Sequence, residues 1–169
     1  MSHCSYSLKL LLAALVVGSA SGLTKEPTSS SAPTITWNDF DGDGFRDALI
    51  LKAGQPARLL KGRKDGQLDD ISVVSGLAAF ADAHSAIWTD VDGDGRTDLF
   101  LINRKSGGHL LRQVQSGVFK DVTKARGLRL GDGLVSASFL DYDEDGRMDL
   151  QTVDASANRL YRNQGDSFV

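Results

Sequence analysis

Twelve aspartates occupy three short loops of one design. Asp39, Asp41, Asp43 and Asp47 stand at positions 1, 3, 5 and 9 of the first loop. Asp90, Asp92, Asp94 and Asp98 take the same positions in the second, and Asp141, Asp143, Asp145 and Asp149 in the third. Position 6 is glycine each time, at Gly44, Gly95 and Gly146. Such an oxygen-only donor set suits calcium, a hard cation that takes six to eight oxygens at about 2.3–2.6 Å in flexible geometry. In the second loop the four carboxylates can donate, the position-7 carbonyl of Arg96 points inward as in other loops of this spacing, and water completes the shell. Glycine at position 6 permits the backbone angles of a turn wrapped around an ion. Four carboxylates within nine residues repel one another unless a cation lies among them. Magnesium demands a smaller and stricter octahedron, and zinc prefers histidine or cysteine, which the loops lack.

Two alternatives are weaker. An EF-hand needs a bidentate glutamate at position 12 and flanking helices. Position 12 here is Ile50, Leu101 or Thr152, each inside an apolar or β-branched run. A plain Asp-Gly hairpin without metal needs only that dipeptide, and it leaves three in-register copies of D-x-D-x-D-G-x-x-D unexplained.

The loops must be held by something, and their spacing says what. The first aspartates lie 51 residues apart in both intervals, so the chain is an internal repeat. The repeats run over residues 37–87, 88–138 and 139–169, opened by Trp37, Trp88 and Phe139. These aromatics, at one repeat position, are expected as core residues between neighbouring units. Apolar runs follow each loop at Ala48–Leu51, Leu99–Ile102 and Leu150–Val153 and predict short strands. Leu59-Leu60-Lys61 corresponds to Leu110-Leu111-Arg112 and, shifted by one residue, to Leu160-Tyr161-Arg162. Asp70-Ile71 matches Asp121-Val122, and Gly76-Leu77 matches Gly127-Leu128. In repeat two the strands are expected near 85–89, 98–103, 109–114 and 118–123. Four antiparallel strands in such a period are the size of one β-propeller blade. The fold class is therefore all-β, a partial propeller of about three blades, with little helix. The third repeat has a third strand near residues 159–162 and stops at Phe168-Val169, where its fourth should begin.

Composition agrees with a globular chain: of 169 residues, 41% are hydrophobic and 24% charged. Twelve of the 22 acidic residues occupy the four side-chain positions of the three loops, so three divalent ions would turn the formal charge of −3 mildly positive. No clustered basic face suggests nucleic acid. The N-terminus carries an apolar run, Leu10–Val17, then small residues with Gly18 and Ala20 placed for signal-peptidase cleavage after Ala20. Eight apolar residues are too few to span a bilayer, which needs about 20. Residues 1–20 are expected to be a secretory signal and 21–34 a Ser/Thr/Pro-rich linker, giving an extracytoplasmic protein. Its single cysteine, Cys4, would be lost with the signal.

The segments WNDFDGDGFRDALIL, WTDVDGDGRTDLFLI and FLDYDEDGRMDLQTV, with LLRQVQSGVFKDVTKARGL and LYRNQGDSF, resemble the FG-GAP/VCBS repeat family, which includes the calcium-loop blades of integrin α-subunit propellers. The resemblance covers residues 35–169. It implies a propeller, usually of seven blades, with calcium in the hairpin loop between the first two strands of a blade. Ligand roles then carry over to all twelve loop aspartates and to the carbonyls of Phe45, Arg96 and Arg147. The Phe-Gly/Gly-Ala-Pro phrase that names the family is absent. Propellers close at four to eight blades, so the chain is expected to be a fragment of a longer protein, or to complete a ring with itself or with further blades.

Catalytic signals are few. His84 and His109 have no counterparts in the other repeats and no nucleophile at motif spacing, and no Gly-x-Ser-x-Gly elbow or phosphate loop occurs. Arg58, Lys61, Arg63, Lys64, Arg104, Lys105, Arg112, Lys124, Arg126 and Arg129 are scattered through turns and strand ends, as on a solvated surface. The expectation is a non-enzymatic binding or adhesion module with up to three structural calcium ions and an unidentified protein or glycan ligand. The competing expectation is a non-catalytic part of an extracellular enzyme of the polysaccharide lyase or phospholipase type.

Overall fold

The computed structural model describes residues 32–103 and 105–169. The expected signal, and all of the linker before residue 32, lie outside the described residues. Among the described residues, eleven strands form three antiparallel sheets. The first sheet is β1 (Thr34–Asn38), β2 (Asp47–Leu51), β3 (Arg58–Gly62) and β4 (Leu68–Asp70), hydrogen-bonded in that order. The second is β5 (Ala83–Thr89), β6 (Asp98–Asn103), β7 (Gly107–Gln115) and β8 (Val118–Asp121). The third is β9 (Leu134–Leu140), β10 (Asp149–Asp154) and β11 (Asn158–Tyr161), ordered β11-β10-β9. An isolated bridge between Asn163 and Phe168 stands where a fourth strand would pair. The one helical element among the described residues is a single 3-10 turn, Leu77–Ala79.

Register explains the repeat. Trp37 pairs with Ala48, Trp88 with Leu99, and Phe139 with Leu150. Arg58, His109 and Arg159 lie opposite Ile50, Leu101 and Thr152. Each acidic loop is thus the connection between the first two strands of a sheet, as the resemblance implied. β1 begins at Thr34 rather than at Trp37, extending repeat one into the last residue assigned to the linker.

Two apolar layers join the sheets. Between the first and second, Phe40, Leu49, Leu51, Leu59 and Leu77 pack with Leu99, Leu101, Leu111 and Phe119. Between the second and third, Val91, Phe100, Ile102, Leu110 and Leu128 pack with Leu134, Leu150 and Phe168. The layers are in register with the repeat: Leu49 and Phe100, or Leu59 and Leu110, do the same work one unit apart. At about 25 cal/mol per Å² of apolar surface removed from water, these layers are the main driving force for stacking. The Phe119 N–H donates to the Ser75 carbonyl at 2.9 Å, and the Phe168 N–H to the Arg126 carbonyl, repeating one inter-sheet bond.

The aromatic openers divide by what lies in front of them. Trp88 stacks on Phe40, with ring centroids 6.4 Å apart, and its indole N–H donates to Thr36 Oγ1. Phe139 meets Phe100 edge-on. Trp37 is 55% exposed. The expectation that all three are core residues is corrected for Trp37, because no described sheet stacks on the face of β1 that carries Trp37. At the opposite face Tyr142 and Leu160 are exposed, whereas their equivalents Phe40 and Val91, or Leu59 and Leu110, are buried.

Candidate metal centres

Each loop is built by its own first aspartate. Asp39 Oδ1 accepts the N–H of Asp43 at 3.1 Å, and its Oδ2 accepts that of Gly44 at 2.8 Å. Asp90 does the same for Asp94 and Gly95, and Asp141 for Asp145 and Gly146. The carboxylate at position 5 turns back to accept the N–H of position 7: Asp43 from Phe45, Asp94 from Arg96 and Asp145 from Arg147. The position-6 glycines have φ of 86, 81 and 84°, a left-handed conformation in which a Cβ is strained. Position 4 is left-handed too. Glycine meets that demand at Gly42 and Gly93, whereas Glu144 in the third loop adopts a φ of 59° with a side chain.

The resulting clusters bring carboxylate oxygens within 4.8 Å of one another. They comprise Asp39, Asp41 and Asp43; Asp90, Asp92 and Asp94; and Asp141, Asp143 and Asp149. In the second and third loops the position-3 carboxylates hold buried oxygens without a hydrogen-bond partner, Asp92 Oδ1 and Asp143 Oδ1. Leaving such an oxygen unsatisfied costs several kcal/mol in an apolar setting, and a cation held by the cluster would satisfy it. A donor set of clustered carboxylates fits a hard divalent ion.

The position-9 aspartates do something different. Asp47, Asp98 and Asp149 are 1%, 0% and 0% exposed. Each clamps two backbone N–H groups, one from loop position 2 and one from a residue near the end of the third strand. Asp47 accepts from Phe40 (2.9 Å) and Gly62 (2.7 Å), Asp98 from Val91 (3.1 Å) and Gln113 (2.8 Å), and Asp149 from Tyr142 (3.0 Å) and Asn163 (2.7 Å). Asp149 also contributes an oxygen to its cluster; Asp47 and Asp98 do not belong to theirs. Burial pushes the Asp98 carboxyl up to about 6, helped by the nearby charges of Asp92 and Asp94 and opposed by the two N–H bonds. Asp47 is raised for the same leading reason.

One basic side chain per sheet reaches into the loop. Lys61 pairs with Asp41 and, at 3.0 Å, with Asp43. Arg112 holds Asp92 at 2.5 Å and Asp94 at 3.1 Å. Arg162 pairs with Asp143 and lies 3.6 Å from Asp145. At position 7, Arg96 and Arg147 add pairs to Asp94 and Asp145, and their Nε groups donate to the carbonyls of Gln113 and Asn163. Burial alone would raise Asp94, but the Arg96 N–H and Arg112 more than offset it, and the carboxyl lies below its usual range. Lys61 and Arg112 are therefore not the scattered surface charges expected from the sequence. The correspondence of Lys61, Arg112 and Arg162 was visible in the repeat alignment, and their shared position three residues past Arg58, His109 and Arg159 was the available signal.

A second missed pair ties the loops together. Gln113, 1% exposed, donates through Nε2 to the Phe40 carbonyl of the preceding loop and to the Thr97 carbonyl of its own. Asn163 repeats this on the carbonyls of Val91 and Met148. Their first-sheet equivalent is Gly62, where an added Cβ would lie 2.2 Å from the Arg46 carbonyl.

Of the two histidines among the described residues, His84 lies in β5 and His109 in β7. His109 has neighbours that spacing did not reveal: Ser106 and Asp121 each hydrogen-bond its ring.

Against known families, the FG-GAP-like repeat model matches residues 39–101 and again 90–152, one period apart. No curated protein matches the chain.

Proposed function

The chain belongs to the FG-GAP-like repeat family, and from that premise we propose that it is a calcium-stabilised β-propeller repeat module of an extracytoplasmic protein, used for binding or adhesion. The observation that carries this reading is the recurrence of one carboxylate cluster at the same loop of each sheet, with oxygens within 4.8 Å in all three. In the third cluster all three ligands carry side-chain oxygens from one nine-residue turn, and the carbonyls of Phe45, Arg96 and Arg147 are proposed as further donors. The ion would cross-link the two strands that flank each loop, so its contribution is to folding. Among the described residues no helix is long and apolar enough to cross a membrane. Secretion rests on the N-terminal apolar run and its small-residue cleavage site.

The exposed faces around Trp37 and around Tyr142 and Leu160 occupy positions that are covered wherever a neighbouring sheet is stacked. Further blades, from this polypeptide or from another copy, are the proposed occupants, and a protein or glycan the proposed ligand of the assembled module. Thermal melting with calcium and with chelator tests the central claim. A ligand that binds only the folded state at a hundred times its dissociation constant adds about 2.7 kcal/mol per site. Melting temperatures that coincide in calcium and in chelator would refute structural calcium binding.

A further inference from the structure

We propose that the second sheet carries a serine-nucleophile site, Ser106–His109–Asp121, competent for hydrolysis of carboxylic esters. Ser106 Oγ lies 2.9 Å from His109 Nε2, and His109 Nδ1 lies 2.9 Å from Asp121 Oδ2. The second oxygen of Asp121 accepts the N–H and hydroxyl of Thr123, at 2.9 and 2.6 Å. The carboxylate is thereby fixed in rotation, and it dictates the tautomer: Nδ1 carries the proton and donates to Asp121, which leaves Nε2 to accept from the serine. A nucleophile bonded to a base, and the base oriented by a third group, is the arrangement by which such sites are recognised irrespective of fold. All three residues line one cavity of about 970 Å³, together with Lys124 and Arg129. That volume admits a small organic ligand. The two basic side chains favour an acyl ester bearing a negative charge.

The repeat isolates this feature. At the position of His109 the first sheet has Arg58, bonded to Asp70 at 2.8 and 3.1 Å, and the third has Arg159, paired with Asp154. Arginine cannot act as a base near neutral pH. The serine position holds Gln55 in the first repeat and Ser156 in the third. Among the described residues only the second repeat therefore combines nucleophile, base and carboxylate. An ion pair that merely joins the third and fourth strands is made by arginine in the first sheet, so histidine adds something that such a pair does not require.

In the proposed reaction Ser106 Oγ bonds to the acyl carbon while its proton passes to His109 Nε2. The ester C–O bond then breaks, and the departing alkoxide takes that proton. A water molecule attacks the acyl-serine, giving its proton to Nε2. Expulsion of Ser106, reprotonated from Nε2, releases the carboxylic acid. Ser106 and His109 are the catalytic residues; Asp121 positions the ring.

The test uses the full chain in calcium-containing buffer, with an alkyl fluorophosphonate as active-site probe and the 4-nitrophenyl half-ester of succinic acid as anionic substrate. Peptide mapping should find the phosphonyl group on Ser106, and Ser106→Ala should abolish both labelling and turnover. His109→Arg installs the residue of the first sheet, so the pair to Asp121 and the melting temperature should persist while labelling slows at least tenfold. Asp121→Asn should lower kcat for the half-ester and slow labelling while KM stays unchanged, because the ring loses the carboxylate that orients it. Labelling elsewhere than Ser106, no labelling of a folded chain, or a rate unchanged by His109→Arg would each overturn the proposal. None of these outcomes depends on whether calcium shifts the melting temperature.

Discussion

Gln113→Met isolates the bond that couples one acidic loop to the next. Methionine keeps the volume of the side chain and removes its donors and acceptor, so packing changes little. Three backbone groups lose their partners: the Phe40 carbonyl at 3.1 Å, the Thr97 carbonyl at 2.7 Å and the Gly117 N–H at 3.0 Å. An orphaned buried polar group costs about 1–3 kcal/mol. The contact to Thr97 is only part-buried, and at the lower end of that range for all three groups the sum is about 3 kcal/mol. For a cooperative unit of this size each kcal/mol moves the melting temperature by roughly 3 °C, giving a fall of about 10 °C. Urea unfolding should show the same loss as a shifted midpoint with an unchanged slope. The exposed control Gln67→Met should stay within about 0.5 kcal/mol of the parent. Because Phe40 is position 2 of the first loop, calcium affinity there should weaken along with stability. A loss below about 1 kcal/mol, matching the control, would refute the role assigned to Gln113 and with it the idea that the loops are mechanically joined.

Other perturbations separate equivalent positions by their surroundings. Trp88→Ala should cost about 2–4 kcal/mol by emptying the space beside Phe40 and Phe119, whereas Trp37→Ala should cost under about 1, and denaturant midpoints compare them directly. Gly62→Ala places a Cβ 2.2 Å from the Arg46 carbonyl and should destabilise by about 2 kcal/mol or more, read from the same curves. The Asp98 carboxyl, raised to about 6 by burial from 3.8, favours the protonated fold. In chelator, the contribution of this one group is therefore fully present below about pH 4 and is lost as pH rises to about 6, by roughly 3 kcal/mol at about 1.4 kcal/mol per unit, and the difference between the parent and Asp98→Asn isolates it. A bound cation favours the carboxylate, so the stabilisation by calcium should grow across that window. Urea midpoints at pH 4.5 and 7, with and without calcium, check the sign.

Much of this was legible because a 51-residue repeat aligns residues that a single copy would leave ambiguous. The second strand of repeat two was expected at 98–103 and is Asp98–Asn103. β7 starts two residues earlier than its expected 109, because Gly107 and Gly108 read as a turn by type. In the structure they pair with Asn103 and Ile102, and a Cβ on Gly108 would press on Phe100 at 2.6 Å. β8 stops at Asp121 instead of 123, since Asp121 caps the turn through Thr123 and the Val122 N–H leaves for Leu110. Gln113 and Asn163 were hidden for another reason: they differ in type and fall one residue out of phase. Ser106, His109 and Asp121 span two hairpin connections, and only strand pairing brings them together.

The position-9 aspartates illustrate how far residue type underdetermines role. In sequence the four aspartates of a loop are equivalent oxygen donors. In the fold Asp39, Asp41 and Asp43 face one another, while Asp47 accepts from both sides of the hairpin and is buried beneath them. A carboxylate that bridges loop position 2 to the end of the third strand fixes where the other three can go. Removing it should therefore damage the fold with or without a cation, whereas removing a cluster member should matter only when calcium is present. Asp98→Ala and Asp90→Ala make that comparison in the second loop, although Asp90 also organises its own turn through the N–H groups of Asp94 and Gly95. Asp92→Ala is the cleaner partner, because Asp92 Oδ1 has no hydrogen bond to lose and its Oδ2 loses only the partly exposed pair to Arg112. In chelator Asp98→Ala should lower stability by about 2–3 kcal/mol through its two orphaned N–H groups, partly offset by relief of the buried charge, and Asp92→Ala by under about 1. In calcium Asp92→Ala should lose the metal-dependent increment. Equal losses for both variants in chelator would show that clamp and ligand are not separable, and that the four aspartates act as one group.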